Sequence, residues 1–232
     1  MINDERPNRL PDSLPADPMH WADAWLKEAI STRVRRNPDA MTVVSVSSDG
    51  QPSARLVLCR KFVPDPGYLV FHTNYQSKKC LDFENNPRAA AVFHWDTLGR
   101  QIRIEGLIVK SPREESDSYF ANRDKGSQLG AWGSDQSYPI QSKDKLIRQI
   151  RDRGISMGLS LREGTTQFTE APASTIKRPP HWGGLRLWAN AIELWIEGRD
   201  RIHDRGRWSR NIMPASETEF TVTPWSGTRL QP

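Results

Sequence analysis

From residue 40 the chain alternates apolar and polar side chains in short runs: MTVVSVSSDGQPSARLVLCRKF, GYLVFHTN, AAAVFHWD and RQIRIEGLIVK. A period of two is that of a strand with one face buried. The first run breaks at Asp49-Gly50, a dipeptide suited to the tight turn of a hairpin, so it predicts two strands. Each of the other runs adds one, and AAAVFHWD is entered through Asn86-Pro87. The period returns after HWGG in LRLWA, AIELWIEG, RDRIHDRGRW (199–208) and EFTVT. In RDRIHDRGRW a strand would place Arg201, His203, Arg205 and Arg207 on one face, with Ile202 and Asp204 on the other. Such a row repels itself, so it is either solvated or set against an anion.

Helical spacing appears elsewhere. Trp21, Trp25, Leu26, Ala29 and Ile30 predict a helix from Asp17-Pro18 to about residue 35. A short helix begins near Ser77 and runs through Leu81 and Phe83. Ser111-Pro112-Arg113-Glu114 predicts another, with Ser as N-cap, Pro at the first helical position and Glu completing a capping box, to about Asn122. Residues 142–153, striped by Leu146 and Ile150, predict a third. Residues 1–18 carry Pro7, Pro11, Pro15 and Pro18 and read as a flexible N-terminal arm. Residues 154–180 have no period and read as a long mobile loop within a single domain spanning 19–232. Strands in succession, a helical insertion and more strands describe a mainly β fold with flanking helices. Its antiparallel sheet closes or splits into a barrel. The absence of βαβ alternation argues against a doubly wound nucleotide fold.

Composition narrows this modestly. A chain of 232 residues can bury one sizeable core. Lys and Arg outnumber Asp and Glu by 33 to 28, a net charge of +5 that favours anionic partners without choosing among them. Two cysteines, Cys59 and Cys80, make neither a disulfide framework nor a metal quartet and read as reduced thiols. No apolar run approaches the ~18 residues of a membrane span, and MINDERPNRL lacks a signal-peptide core. The expectation is a soluble, cytoplasmic protein.

Several clusters suit anions. Lys78 and Lys79 fall in the first turn of the helix after Ser77, where cations oppose the dipole unless an anion joins them at the free N–H groups. Arg55 and Arg60 flank the apolar strand of RLVLCR. Tyr119 and Arg123 lie four apart on one helix face, with Ser127 just beyond the helix end, so two hydroxyls and a guanidinium can meet one phosphate. Each cluster alone also reads as ordinary surface charge. No nucleophilic triad, P-loop or GxGxxG is present, and the five dispersed histidines give no metal site. Anion clamps without a nucleophile suit a cofactor enzyme.

Together these segments resemble the pyridoxine/pyridoxamine 5′-phosphate oxidases, which are FMN flavoproteins. The resemblance rests on LPADP (14–18), RLVLCRKF, FHTN with SKK, ENNPRAA, GRQIRIEG, ESDSYFANRDKGSQLGAW, DQS, HWGGLRL, IELW, RIHDR and RLQP, in order along nearly the whole chain. It implies an FMN-binding split β-barrel and a homodimer with FMN at the subunit interface. Arg55, Lys78, Lys79 and Thr73 would meet the FMN phosphate. Leu56, Val57, Leu58, His72, Gln101, Gln136, Ser137, Trp195 and Arg205 would hold the rest, partly across the interface. Tyr119, Arg123, Ser127 and Arg60 would bind the phosphate of a phosphorylated B6 vitamer, and Arg201 and His203 would lie over its pyridine ring as the catalytic pair. The implied reaction oxidises the vitamer with dioxygen to pyridoxal 5′-phosphate and hydrogen peroxide, releasing ammonia from the amine.

Some positions depart from the family pattern. Arg60 stands where Lys is usual, Gly206 replaces an aromatic after HDR, the N-terminal arm lacks an arginine-then-tyrosine stretch, and the 154–180 segment is long. Two other readings stay open: a split-barrel flavin oxidase for another substrate, as in phenazine biosynthesis, and a basic nucleic-acid-binding barrel. The last would be colourless and would weaken steeply with salt.

Overall fold

The computed structural model describes residues 9–170 and 176–232. Helix α1 (Pro18–Ser31) is capped by Asp17, whose carboxylate accepts from the Met19 N–H at 2.7 Å, with Pro18 in its first turn. Met19, Ala22, Trp25, Leu26 and Ala29 form its buried stripe. It ends before the expected residue 35 because Arg33 turns left-handed, at φ 50°.

Strands β1 (Ala40–Val46) and β2 (Pro52–Leu58) make the predicted hairpin, with Gly50 at φ 86° in the turn. A short β3 (Lys61–Val63), which the sequence pattern does not separate, pairs with β4 (Tyr68–Asn74). Then come α2 (Lys78–Asn85), β5 (Arg88–Trp95) and β6 (Arg100–Lys110), as expected.

The helical insertion differs from its prediction. Helix α3 (Arg113–Ala121) has Pro112, not Ser111, at its N-cap. Ser127 lies beyond its end, as expected, but within a second helix. Asp124 caps a further helix, α4 (Lys125–Gly133), by accepting from the Ser127 N–H at 2.8 Å. Helix α5 (Lys143–Ser156), capped by Ser142, runs past the expected 153. The segment read as a mobile loop therefore begins helical. Its Leu159, Leu161 and Ile176 join Phe120, Leu129 and Trp182 in a small core, while residues 171–175 lie outside the described residues.

LRLWA and AIELWIEG are not two strands but one, β7 (Trp182–Ile196). The opening Arg201–His203 of the basic run is not strand: Asp200 and Arg201 have positive φ, and β8 (Asp204–Ser209) starts after them. Short β9 (Ile212–Pro214), β10 (Phe220–Val222) and β11 (Ser226–Leu230) complete the chain.

Among the described residues, nine strands form one antiparallel sheet, curled into a half-barrel with five helices. Strand β7 is its spine. With 15 residues it spans about 50 Å, too long for one partner along each edge. Its first half pairs with β4 and its second with β8 on the same edge, while β6 follows the other edge. A bulge at Glu105/Gly106 absorbs the bend, and a Cβ at Gly106 would come within 1.9 Å of Trp188 O. The inner face, with Ile102, Ile104, Ile192 and Leu194, packs with α1 into the main core. Among the described residues no helix is long and apolar enough to cross a membrane.

The chain before α1 is docked from Leu10 onward. Leu10 is fully buried, its N–H donates to Asp204 at 2.6 Å, and the Trp208 indole donates to Pro15 O at 2.8 Å. A Cβ on Gly206 would sit 2.6 Å from the Trp208 ring and 2.9 Å from Leu10, so the glycine leaves room for both side chains to pack there. Residues 1–8, including Arg6, lie outside the described residues.

Candidate cofactor and substrate site

A cavity of about 790 Å³ opens between β2, β4, α2 and the α3–α4 junction. Arg55 to Leu58 and Arg60 form one wall; His72, Thr73, Lys78 and Lys79 form a second. Tyr119, Arg123 and Ser127 make a third, and Gln136 and Ser137 reach in from the segment after α4.

At the first end sits Lys79, only 8% exposed. Its ammonium donates to the Thr73 hydroxyl at 3.0 Å, the Ser77 hydroxyl at 2.9 Å and the Gln136 carbonyl at 2.9 Å. All three acceptors are neutral, and burial pulls its pKa below the usual lysine value. Arg55 is held the same way, donating to the Ser45 and Ser53 hydroxyls at 2.9 Å, and burial lowers its pKa too. Lys78 behaves differently: it is exposed and paired with Asp82 at 2.5 Å. Burial pushes the Asp82 carboxyl up, but hydrogen bonds from Lys78 and Ser45 outweigh it and the net shift is down.

At the other end, the Tyr119 ring lies flat on His72, with centroids 3.7 Å apart at 10°. The Arg123 guanidinium sits over Trp182 at 4.5 Å, and burial lowers its pKa. Arg60 is exposed and shares its charge with Asp39 at 3.2 Å. Among the described residues, Arg55, Lys79 and Arg123 have no carboxylate at ion-pair distance.

The remaining predicted residues do not line this cavity. Gln101, Trp195 and Arg205 lie directly opposite one another on β6, β7 and β8, on the outer face of the sheet. His203 packs on Trp195 at 4.6 Å, and its Nδ1 accepts the Gly198 N–H at 3.2 Å. Arg201 is exposed in the turn before β8. The basic face of RDRIHDRGRW is largely balanced by its own sheet. Glu193, 2% exposed, takes Arg205 at 2.9 Å and Arg103 at 3.0 Å, while Glu105 takes Arg207 at 2.8 Å. Arg201 and His203 leave the row altogether.

Sequence reasoning missed Ser45, Asp82, Asp39, Glu193 and Trp182 as supports of these groups. Ser45 left a trace: it occupies an inward position in the alternation of TVVSV, where an apolar residue is expected. The carboxylates left none.

The chain is similar to known proteins over most of its length. The family described as "Pyridoxamine 5′-phosphate oxidase" matches residues 26–152, and "Pyridoxine 5′-phosphate oxidase C-terminal dimerisation region" matches residues 182–232. A pyridoxine/pyridoxamine 5′-phosphate oxidase of Burkholderia vietnamiensis is 42% identical over 216 residues, covering 93% of this chain and 89% of the relative. The enzyme of the same name from Bordetella pertussis is 45% identical over 196 residues, covering 83% of each. Among solved structures, PhzG of Burkholderia lata in complex with tetrahydrophenazine-1-carboxylic acid superposes with a TM-score of 0.75 at 25% identity, covering 95% of both chains. An FMN-binding protein of Nostoc punctiforme, at 16% identity and a TM-score of 0.64, covers 91% of this chain and 97% of its own and shares the fold.

Proposed function

This chain belongs to the pyridoxamine 5′-phosphate oxidase family, and we propose that it uses FMN to oxidise pyridoxamine or pyridoxine 5′-phosphate to pyridoxal 5′-phosphate. Dioxygen takes the two electrons and becomes hydrogen peroxide, and with the amine substrate water hydrolyses the oxidised C–N bond, supplying the aldehyde oxygen as ammonia leaves. The observation that carries this reading is one buried cation, Lys79, and two half-buried ones, Arg55 and Arg123, in one cavity with no carboxylate at ion-pair distance among the described residues. Removing a cation from water costs several kcal/mol in practice unless an anion compensates. A phosphate, with close to two charges and three acceptor oxygens, compensates best.

The residues present fit FMN. Lys79, Thr73 and Arg55, beside the N-terminus of α2, make the phosphate cradle, and Lys78 contributes what its pair with Asp82 leaves. Leu56, Val57, Leu58, His72, Gln136 and Ser137 would meet the rest of the molecule. Bound FMN supplies a two-electron acceptor that dioxygen reoxidises.

The other work falls to this chain's own side chains. Tyr119, Arg123, Ser127 and Arg60 hold the substrate's phosphate and so orient its ring. His203 Nδ1 accepts a backbone N–H, which leaves the proton of the neutral ring on Nε2. His203 therefore presents a donor. With Arg201 it orients and polarises the substrate rather than attacking it. The matched dimerisation region supports a homodimer, in which Gln101, Trp195, Arg201, His203 and Arg205 of one copy close the cavity of the other. Two buried free thiols, Cys59 and Cys80, support a reducing, cytoplasmic setting.

One observation favours a second reading. The likeness to PhzG supports a flavin oxidase acting on a carboxylic acid instead. The cluster of Tyr119, Arg123 and Ser127 supports the phosphorylated substrate over it. Absorbance of the FMN-loaded protein under anaerobic conditions, before and after pyridoxamine 5′-phosphate, tests the reading. Bleaching of the flavin band, restored by air, supports it. A band that stays unbleached removes this substrate, and a colourless protein that cannot be loaded removes the flavin.

A further inference from the structure

The wall that carries Tyr119 and Arg123 is made of rings, and the role inferred for those rings rests on the reading of that wall as the substrate-phosphate site. Tyr119 stacks on His72 at 3.7 Å. His72 stacks in turn toward Trp182 at 5.3 Å and 15°, and Arg123 covers Trp182 at 4.5 Å. Phe120 meets Trp182 edge-on at 5.2 Å and fixes it from below. His72 and Trp182 stand on adjacent strands, where His72 pairs with Gly184 and Asn74 with Trp182. A Cβ on Gly184 would lie 3.3 Å from His72 Nε2 and 2.6 Å from Ser111 Oγ, so the glycine of HWGG gives the imidazole its place.

Among the described residues, neither ring nitrogen of His72 has a hydrogen-bond partner. Burial pushes its pKa down to about 4. Around it, α3 contributes Glu115, which opposes that shift, while Arg123 after α3 and Arg60 after β2 add to it. From β7 the neighbours Trp182 and Gly184 carry no charge. The ring is therefore neutral at working pH. Tyr119 and Trp182 are themselves 6.2 Å apart, so the indole lies beside the imidazole rather than across it from the phenol, and a neutral imidazole can pack against both without repelling the guanidinium nearby.

We infer that His72 and Trp182 are positioning residues for the substrate's phosphate, holding the Tyr119 phenol and the Arg123 guanidinium in the one arrangement that reaches a common anion. Neither touches the phosphate. They act through the two residues stacked on them.

The test compares His72→Leu with His72→Phe in the FMN-loaded protein. Leu fills the space without a ring, and Phe keeps the stack without nitrogen. Affinity is read for inorganic phosphate by calorimetry, together with KM and kcat for pyridoxamine 5′-phosphate and FMN affinity by fluorescence. His72→Leu should weaken phosphate binding and raise KM by about tenfold, with a much smaller change in kcat, and His72→Phe should recover most of the loss. Equal losses in both variants would overturn the inference in favour of a hydrogen bond from the imidazole. A loss confined to FMN affinity, with phosphate binding and KM unchanged, would overturn it and leave His72 as a flavin contact alone. Should wild-type protein ignore the vitamer, the functional reading fails while phosphate calorimetry still decides the stack.

Discussion

The cavity and the outer face of β6, β7 and β8 hold the same kinds of side chain in opposite states. In the cavity, Arg55, Lys79 and Arg123 lean on hydroxyls, an amide and a ring, and burial lowers the pKa of all three. On the outer face, Arg103, Arg205 and Arg207 meet Glu105 and Glu193 at 2.8–3.4 Å. There the pairing works the other way: its hydrogen bond to Glu105 is the chief cause that raises Arg207. The difference separates two uses of positive charge. A cation matched by a carboxylate holds the sheet together. A buried cation left unmatched stores unfavourable desolvation that an incoming anion relieves.

The sharpest way to break this contrast is Lys79→Met. Losing a charge-assisted contact to the proposed FMN phosphate should weaken FMN binding by about 100-fold, read by flavin fluorescence titration. An unchanged affinity would place the cofactor elsewhere. Arg123→Ala should raise KM for the phosphorylated vitamer by about 30-fold while FMN affinity stays, since its charge lies at the other end of the cavity. If FMN affinity falls instead, the two ends are misassigned.

On the paired face the same kind of deletion should act on stability. Arg207→Ala should cost about 1 kcal/mol, a shift of about 2–4 °C in thermal midpoint, with FMN affinity unchanged. Its hydrogen bond is the chief cause holding the Glu105 carboxyl below its ordinary value. Wild-type protein therefore holds this stability above the unfolded glutamate pKa and loses it as pH falls through the lower folded one. The variant should lack that acid-side loss in a midpoint-against-pH series.

A separate pH effect concerns His72. Its folded pKa of about 4 lies below the ordinary 6.5. Falling pH first protonates the unfolded chain, so stability declines from 6.5 toward 4 and levels below that. His72→Phe should flatten this decline. An unaltered profile would show that the imidazole is not kept neutral by its burial.

Much of both regions was legible in the residues. The hairpin at Asp49-Gly50, the alternation of RQIRIEGLIVK and the Asp17-Pro18 cap are local signals and recur at those residues. Non-local features were not legible. LRLWA and AIELWIEG look like two strands because Asn190 interrupts the apolar run, yet pairing with β6 on one edge and with β4 and then β8 on the other keeps β7 continuous. Ser127 reads only as lying just beyond a helix end, and it is the Asp124 cap and the packing of α4 on α5 that put it in a second helix. The basic run invites a strand through Arg201, but positive φ at Asp200 and Arg201 sends the chain round a turn first.

The sequence by itself determined which side chains were available and which local elements carried them, because turn chemistry, caps and a period of two act over a few residues. It placed Lys78 with Lys79, Arg55 with Arg60, and Tyr119 with Arg123, close enough in chain order to stand out as candidate anion sites. Which of the many arginines stay free was decided only by the tertiary structure. Glu105 neutralises Arg207 from 102 residues away, and Glu193 reaches Arg103 across 90. Charge compensation falls off with distance in space, not along the chain, so paired and unpaired arginines look alike until the strands are side by side.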